Sequence, residues 1–391
     1  MRLISRLLML LVVLVLAAEG YGRYVLKMEP GLPENRVAEA VSKFAEFDPQ
    51  LGMRYRLNID QLIDSPEADF SILYKTNEIG LRDRPMGTHL RKELKFLVFG
   101  DEFAEGWGMD IDQTFVVRAQ AAVNEKTGLQ PPVRFVITGK SGYGAAQNYL
   151  AAGPLIDSLA PKAIVMMYSS LMPHQDALFL EDAAMEGDLA TGLRPDAPQT
   201  VRLPHAEDYP AALPAWLAGF AQQSVAATFL GRWLSLRFTL PDLKPGDPLT
   251  DRLAGIRAPA ETLAAVHAPS LKHVKALADL AASKGIPFML IHAPLPPQVT
   301  ADAWEKGRQV FRAPEGLMPA EDEAVVGAFC MEAKIQCLSL HGPLRDAAAK
   351  LESTRLYHPS ELAFTVDGAR VTADWFASEM LRLMDAQGWR D

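Results

Sequence analysis

One apolar run that ends in a polar turn constrains the fold of this chain most. Residues 96–99 read Phe-Leu-Val-Phe, and Gly100, Asp101 and Glu102 follow directly. An uninterrupted apolar run of this length predicts a strand that is covered on both faces, as in the parallel sheet of an α/β domain. The turn after such a strand lies at the carboxyl edge of the sheet, where open α/β folds place reactive groups. The sequence therefore predicts a candidate site at Asp101 and Glu102.

Strands and helices alternate along most of the remaining chain. The predicted strands are residues 133–137, 163–168, 287–292 and 335–340, and the predicted helices are residues 114–124, 145–159, 260–284 and 319–333. Alternation of this kind favours a parallel, doubly wound sheet with helices on both faces. The predicted fold class is therefore α/β, with three α/β/α layers.

The first 27 residues form a segment of their own. Arg2 and Arg6 precede an apolar run over residues 7–18, and Glu19 follows it. A basic start and an apolar run are typical of a secretory signal, but no Ala-x-Ala cleavage motif follows, which favours an uncleaved signal-anchor that crosses the membrane as a helix. Because basic residues stay inside, the C-terminal part is predicted to face the periplasm from the inner membrane.

Composition and punctuation divide the rest of the chain. A formal net charge of −9 argues against a nucleic-acid partner. Residues 28–95 carry many Pro and Gly turns and are predicted to be a linker and lead-in, while residues 96–391 form the domain. Residues 173–259 change pattern and are predicted to be an insertion, of a kind that often covers the carboxyl edge of the sheet. Aromatic residues in this insertion have spacing typical of a core: Trp216, Phe220, Phe229 and Trp233.

The stretch over residues 96–108 resembles the Gly-Asp-Ser block of the SGNH/GDSL hydrolases, particularly of their membrane-anchored bacterial branch. Residues 47–52 and 77–84 resemble two turns that precede this block in that family, and we assign them no catalytic role. The resemblance implies a flavodoxin-like α/β/α sandwich. It also implies that Glu102 occupies the position of the nucleophilic Ser, and a carboxylate cannot be activated as a serine hydroxyl is.

Two further blocks carry the resemblance, each with a change. Residues 137–147 resemble N-x-G-x-x-G-Y-G-T-A-Q with Ile137 at the Asn position, and the resemblance gives Gly142 the role of a backbone donor to an oxyanion. After the third strand the family has Asn-Asp, where this chain has Ser169 and Ser170. The side-chain donor of the family is therefore expected to be lost.

The last block, residues 356–373, resembles the family's terminal Asp-Gly-His block. Aligned on Phe-Thr and Gly-Ala-Arg, the family's Asp falls on Glu361 and its catalytic His on Ala363. A second register puts the Asp at Asp367 and still leaves no His at the right place. His358 lies nearby as an alternative base, although a core or surface role is more typical of a lone His.

Another pattern near the second block suggests a different nucleophile. Residues 139–143 resemble the G-x-S-x-G elbow around Ser141, but Tyr143 stands where the second Gly is required for tight packing. The sequence therefore disfavours Ser141 as a nucleophile.

Two functions of different class follow. The first is a pseudo-hydrolase that binds or scaffolds an acylated glycan, a lipid or an envelope protein partner. The second is a hydrolase or acyltransferase with a rebuilt site, in which Glu102 and Glu361, with Asp101 or Glu105, act as general acid and base. Convergence of Glu102 and Glu361 in an open cleft would favour the enzyme, whereas a Glu102 paired with Arg would favour the pseudoenzyme.

The cysteines and histidines give weaker signals. Cys330 and Cys337 end one predicted helix and enter the next strand, where two buried free thiols are favoured over a disulfide. No Cys or His group has the sequence spacing of known metal ligands. The sequence therefore predicts neither a metal site nor a cofactor.

Overall fold

A computed structural model describes residues 2–25, 30, 43–65, 69–87, 93–199, 201, 219–220, 223–228, 230, 244–301, 304–350 and 356–389. The chain divides into a small unit, Met1–Lys43 with Arg202–Leu243, and a large unit, Phe44–Val201 with Lys244–Asp391. In the small unit a helix, α1, spans Arg2–Gly20, and one π-helical turn, Tyr21–Val25, follows it. Within the described part of the chain, none of the helices has both the length and the apolar character needed to span a membrane.

The large unit contains all the strands that the structure describes. In chain order they are β1 Ala45–Asp48, β2 Gly52–Tyr55, β3 Asp60–Asp64, β4 Ser71–Lys75, β5 Leu94–Phe99, β6 Val133–Ile137, β7 Ala163–Ser169, β8 Ala183–Glu186, β9 Leu189–Leu193, β10 Phe288–Ala293 and β11 Gln336–Ser339. Its helices are α2 Glu102–Glu105, α3 Phe115–Thr127, α4 Ala145–Leu159, α5 Met172–Leu180, α6 Ala254–Arg257, α7 Ala260–Ser283, α8 Pro296–Val299, α9 Glu305–Val310, α10 Glu321–Ala333, α11 His341–Lys350 and α12 Val366–Ala386.

Five parallel strands form the central sheet, in the order β11-β10-β7-β5-β6. If these five strands are renumbered 1 to 5 in chain order, the sheet reads 2-1-3-4-5 from the β6 edge, which is a doubly wound order. The order reverses between β5 and β7, so the crevice of the fold lies beyond the carboxyl ends of these two strands. The predicted α/β class with a parallel sheet is confirmed.

Helices cover both faces of the sheet because the side chains of each strand alternate between them. In β5, Phe96 and Val98 join a core that includes residues of α3, α11 and α12. Leu97 and Phe99 point to the other face and join a core that includes residues of α4, α7 and α10. The three predicted layers are therefore present.

Local signals explain where these helices begin and end. The Thr114 hydroxyl accepts a hydrogen bond from the Val117 N–H at 3.4 Å, which caps α3 and makes it start one residue after the predicted start. Gly128, with φ of 60°, ends the same helix in the left-handed conformation. Strand 133–137 and helix 145–159 have the predicted bounds.

The lead-in contains more structure than its turn-rich sequence indicates. It forms two antiparallel hairpins, β1–β2 and β3–β4, which belong to the large unit. Tyr55 and Tyr74 from these hairpins are buried, as is Arg82 from the turn that precedes β5. The segment therefore contributes to the core rather than serving only as a connection.

Part of the insertion is described. It begins with α5 and the β8–β9 hairpin, whose strands pair antiparallel. Of the predicted aromatic core residues, Phe220 is exposed, and Trp216, Phe229 and Trp233 lie outside the described residues. The role of the insertion as a cover over the sheet edge stays a prediction.

The prediction of two free thiols is wrong, because Cys330 and Cys337 form a disulfide with a Cα–Cα distance of 6.1 Å. The cause is the turn between them. Lys334 adopts φ of 55° after the end of α10, and the Ile335 N–H donates to the Cys330 carbonyl at 3.0 Å. This reversal brings the start of β11 beside the last turn of the helix, within the range that a disulfide bridges.

Removing this disulfide is expected to lower the free energy of unfolding modestly, because it closes a short loop. The loop-entropy relation gives about 2–3 kcal/mol for a loop of this length. We expect Cys337→Ala to show this loss in urea unfolding, whereas Met331→Ala, at an exposed position between the two cysteines, stays within about 0.5 kcal/mol of the wild type. Equal stability of both variants would contradict a formed disulfide.

Candidate functional site

The carboxyl end of β5 is built by glycine and a helix cap. Gly100 has φ of 147°, and a Cβ on it would lie 2.7 Å from the Ala104 Cβ and 2.7 Å from the Met167 carbonyl. Only glycine fits this close approach. The Asp101 carboxylate then accepts from the Phe103 N–H at 3.1 Å and caps the single turn of α2. Glu102 is the first residue of that turn, as in a strand-to-helix elbow.

Glu102 is a buried and paired carboxylate. Its side chain belongs to a residue with 1% exposure, and Oε2 accepts from the Gln175 amide nitrogen at 2.8 Å. The Arg252 Nη2 lies 3.7 Å from Oε1. Burial raises the pKa of Glu102, while the positive charge of Arg252 opposes that rise. Of the two functions considered from the sequence, a Glu102 paired with Arg favours the pseudoenzyme.

Arg252 is itself fixed by packing. It is buried, and its Cζ lies 4.9 Å from the centre of the Phe311 ring, in a cation–π position. Glu102 therefore faces a cation that neighbouring side chains hold in place. A paired carboxylate of this kind acts as part of the packing of the crevice.

Asp101 links the two strands at the point where the sheet order reverses. Its Oδ2 accepts a short hydrogen bond from the Ser169 hydroxyl at the end of β7. The Ser169 oxygen in turn accepts from the Leu171 N–H at 3.2 Å. Burial, and then the charge of Glu102, hold the pKa of Asp101 well above its usual range. Ser169 therefore holds Asp101 in place.

Both carboxylate oxygens of Glu105 accept hydrogen bonds inside the protein. Oε2 accepts from the Tyr55 hydroxyl at 2.8 Å and, by a short bond, from the Ser141 N–H. Oε1 accepts a short bond from the Tyr74 hydroxyl, and the Arg82 Nε lies 3.8 Å away. The partners of its carboxylate lie in the hairpins, the preceding turn and the second block, so Glu105 joins these elements to the sheet edge.

The second block forms a tight turn in front of α4. The Tyr143 N–H donates to the Lys140 carbonyl at 3.0 Å, and Gly142 takes φ of 81°, as the third position of a type II turn requires. Burial lowers the pKa of Lys140 to about 8. The Ser141 N–H is used to hold Glu105, and the role of Gly142 as an oxyanion donor stays a prediction.

Gly144 and Asp176 together close the start of α4. The Asp176 carboxylate accepts from the Ala145 N–H at 3.1 Å and from the Ala146 N–H at 2.9 Å, so it caps the helix from α5. A Cβ on Gly144 would meet this carboxylate and would lie 2.9 Å from the Asp176 backbone nitrogen. The sequence pattern G-Y-G therefore serves close packing here.

We expect Gly144→Ala to lower the free energy of unfolding by about 2–3 kcal/mol, because the added methyl overlaps Asp176. Gly327→Ala is a matched control in the interior of α10, since nothing lies within 4 Å of its Cβ position. That change is expected to stabilise the chain by about 0.5–1 kcal/mol through helix propensity. Urea unfolding of both variants measures the contrast, and a similar effect from both would contradict the packing described.

The terminal block places no base where the family has its His. Ala363 is buried, and its carbonyl accepts from the His358 N–H at 3.0 Å. The Glu361 carbonyl accepts from the Trp304 indole N–H at 3.0 Å. The pairing of Glu102 with Gln175 and Arg252 does not favour the rebuilt-site enzyme.

The alternatives at this block have structural roles. Asp367 lies in the first turn of α12 and pairs with Arg370 at 2.8 Å, and the Thr365 hydroxyl caps the same helix. The register that excludes Asp367 from the site stays a prediction. His358 is buried against Phe70, with 5.1 Å between the ring centres, and burial lowers its pKa.

The structure brings together four side chains that sequence reasoning did not group. His292 is the penultimate residue of β10, Asp322 lies in the first turn of α10, His341 begins α11, and Ser170 follows β7. The Ser170 hydroxyl donates to Asp322 Oδ2 at 2.5 Å, and His292 Nε2 lies 3.2 Å from the same carboxylate oxygen. One sequence signal could have revealed this cluster. In a parallel sheet the residues that follow each strand all lie at the same edge of the sheet.

Ser170, His292 and Asp322 are the residue types of a hydrolase triad but lack its geometry. In a triad the serine and the acid approach opposite nitrogens of the imidazole. Here the Ser170 oxygen and Asp322 Oδ2 each lie 3.2 Å from Nε2 of His292. Its Nδ1 has no hydrogen-bond partner within the described part of the chain. This arrangement does not orient His292 as a general base for Ser170.

Two clefts lie away from these residues. A groove of about 870 Å³ runs between α7 and α10, and a cleft of about 510 Å³ lies beside the β3–β4 hairpin and the turn before β5. Neither is lined by Glu102, Glu361 or Ala363. Neither cleft therefore opens onto the position of the family's catalytic residues.

Comparison with known proteins gives a fold-level likeness alone. No family model and no curated protein matches the chain. A G-D-S-L family protein from Desulfitobacterium hafniense DCB-2 aligns at 13% identity and TM-score 0.36 over 73% of this chain and 98% of that one. The esterase EstA from Pseudoalteromonas sp. aligns at 8% identity and TM-score 0.37, over 75% of this chain and 99% of that one. The acetylxylan esterase Axe2 from Geobacillus stearothermophilus aligns at 11% identity and TM-score 0.38, over 73% of this chain and 93% of that one. Values this low carry no argument about the chemistry of this chain.

Proposed function

We propose that this chain is a catalytically silent protein of the SGNH/GDSL type, which acts in the cell envelope by binding rather than by hydrolysis. The observation that carries the proposal is the state of Glu102. At the position of the family's nucleophile stands a buried carboxylate that is held by Gln175 and Arg252. Ester hydrolysis by this type of site requires a hydroxyl that attacks and an imidazole that takes its proton.

The rest of the family's machinery supports the same conclusion. Ala363, at the His position, has no side chain able to accept a proton, and it is buried in the core. The Ser169 hydroxyl, at the Asn position, donates to Asp101 and so is committed within the protein. Losing the nucleophile and the base together removes several orders of magnitude of rate in enzymes of this kind.

A serine-directed phosphonate probe tests this proposal on the full chain. We expect no stoichiometric labelling of the native protein, because the serines near the sheet edge lack an oriented base. Ser170→Ala and Ser141→Ala serve as the matched variants. Covalent labelling that either substitution abolishes would overturn the proposal and identify a hydrolytic serine.

We propose an acylated glycan as the ligand, with a lipid or an envelope protein as the alternatives. Titration calorimetry with an acetylated oligosaccharide is expected to show binding, with the ester intact afterwards. Release of acetate during the titration would contradict a silent site. Absence of binding would reject this ligand class. It would not contradict the proposal that the chain lacks hydrolytic activity.

We further propose that the domain works outside the cytoplasm. A disulfide between Cys330 and Cys337 supports an oxidising compartment, where such bonds persist. The basic and apolar order of residues 2–18 supports export and retention at the inner membrane. Fractionation tests this, and recovery of the chain in the cytoplasmic fraction would contradict it.

A further inference from the structure

We propose that His292, Asp322 and His341 bind a divalent transition metal ion of the zinc type at the carboxyl edge of the sheet. The three residues come from neighbouring elements. His292 is the fifth residue of β10, and its partner in the parallel pairing with β11 is Ser339, two residues before His341. Asp322 lies in the first turn of α10, the helix that connects these strands. The fold therefore holds all three on a rigid frame.

The distances suit coordination. One donor atom from each residue lies within 4.8 Å of the others, and His292 Nε2 is 3.2 Å from Asp322 Oδ2. Bonds of about 2.0–2.2 Å put the ligands of a tetrahedral zinc ion about 3.3 Å apart. The His292–Asp322 pair already has this spacing, and His341 completes it by a movement of at most about 1.5 Å.

Unpartnered nitrogens show that protein contacts alone do not satisfy this cluster. His341 is 97% buried, since its exposure is 3%, yet neither ring nitrogen has a hydrogen-bond partner in the described structure. His292 Nδ1 also has none. A His292–Asp322 ion pair would account for one nitrogen and leave three. A buried polar group without a partner destabilises the fold, and a bound ion removes that cost where it takes up the lone pair.

Neighbouring side chains orient the carboxylate as metal sites require. The Gln298 amide nitrogen donates to Asp322 Oδ1 at 2.6 Å, which leaves Oδ2 turned towards His292. The Ser170 hydroxyl donates to Oδ2 at 2.5 Å. Such second contacts fix the direction of ligand oxygens and are a regular part of metal sites.

The donor set selects the class of ion. Two imidazoles and one carboxylate suit Zn²⁺ and similar transition ions, whereas Mg²⁺ and Ca²⁺ prefer oxygen ligands throughout. Three protein ligands leave one position of a tetrahedral ion for water or the Ser170 oxygen. The Glu323 carboxylate, 3.9 Å from His341 Nδ1 and 41% exposed, adds negative charge on the side that faces solvent.

The ion would tie the end of β10 to the first turns of α10 and α11. Ser170, after β7, already contacts Asp322 and His292 beside it. This inference does not depend on the proposed function, because none of the ligands occupies a position of the family's catalytic residues. Binding to the folded chain alone raises stability by RT ln(1 + [L]/Kd), so the effect must grow with metal concentration.

Zinc titration of the full chain, after chelator treatment and dialysis, tests the site. We expect one Zn²⁺ per chain by calorimetry and elemental analysis, and a melting temperature that rises with Zn²⁺ concentration. His341→Gln and His292→Gln are each expected to weaken binding by at least about tenfold. His358→Gln is the matched control, a buried His with an unpartnered Nε2 that belongs to no group of three candidate ligands within the described structure, and it should bind as the wild type does.

The behaviour of His341→Gln without metal separates a ligand from a structural His. In chelator we expect the variant to be at least as stable as the wild type, because it loses an unsatisfied imidazole. Visible absorption of wild-type chain loaded with Co²⁺ gives a readout that needs no variant, and tetrahedral ligand-field bands are expected. Less than 0.1 metal ion per chain, or unchanged binding by both His variants, would overturn the proposal.

Discussion

Replacing Glu105 with Ala is expected to lower the free energy of unfolding by about 3–5 kcal/mol, the range typical of breaking a buried ion pair. Its removal leaves the Arg82 guanidinium fully buried without its counter-charge. It also leaves the hydroxyls of Tyr55 and Tyr74 without their acceptor. Typical domains have about 5–15 kcal/mol in total, so the variant is expected to be close to unfolding.

Two further variants serve as controls, and the stability of all three is measured by urea unfolding followed by circular dichroism. Glu105→Gln keeps an oxygen acceptor and loses the charge, so we expect a smaller loss than for Ala. Glu125→Ala removes an exposed carboxylate from α3 and should stay within about 0.5 kcal/mol of the wild type. A Glu105→Ala chain as stable as the Glu125→Ala chain would contradict a structural role for Glu105.

Replacing Arg252 with Met is expected to have the second largest effect, about 3–5 kcal/mol, because it strands the buried Glu102 carboxylate. Methionine keeps apolar contact with Phe311, so the loss reports mainly on charge. Adding Glu102→Leu in the same chain should recover most of this loss, since an apolar pair of similar volume is often as stable as a buried ion pair. The interaction energy from the four chains measures the coupling.

The same variant has a defined pH dependence. Burial already raises the pKa of Glu102 above the usual 4.5, and Arg252 opposes the rise. Without Arg252 the pKa rises further. A carboxyl with a raised folded pKa adds stability below its unfolded pKa and loses it as pH rises through the folded value. The loss in free energy of unfolding of Arg252→Met relative to the wild type should therefore be larger at pH 7 than at pH 4.5. A loss that becomes smaller as pH rises would contradict this account.

Sequence patterns predicted the layers of the fold well because burial dominates them. The apolar runs of β5, β6 and β7 and the capped α3 carry their signal within a few residues. The β1–β2 and β3–β4 hairpins were not predicted as part of the core. Their buried tyrosines are explained by Glu105, which is distant in sequence and whose bonds no local pattern reveals.

The assignment of Glu102 and Ala363 to a site rests on the resemblance and stays a prediction. The sequence did not reveal what holds Glu102, because Gln175 and Arg252 come from α5 and from the segment before α6. The cluster of His292, Asp322 and His341 was missed because whole strand–helix units separate its members. Spacing rules for metal ligands describe single turns and loops, and they do not describe residues that a sheet edge gathers.

Ester turnover by the full chain tests the central claim most directly. The measurement is release of acetate and longer acids from simple esters and acetylated glycans, with Glu102→Ala measured alongside at equal protein concentration. The account predicts no release above the buffer rate for either protein, because Glu102 is a paired structural carboxylate. Turnover by the wild type that Glu102→Ala abolishes would contradict it and would make Glu102 a catalytic carboxylate.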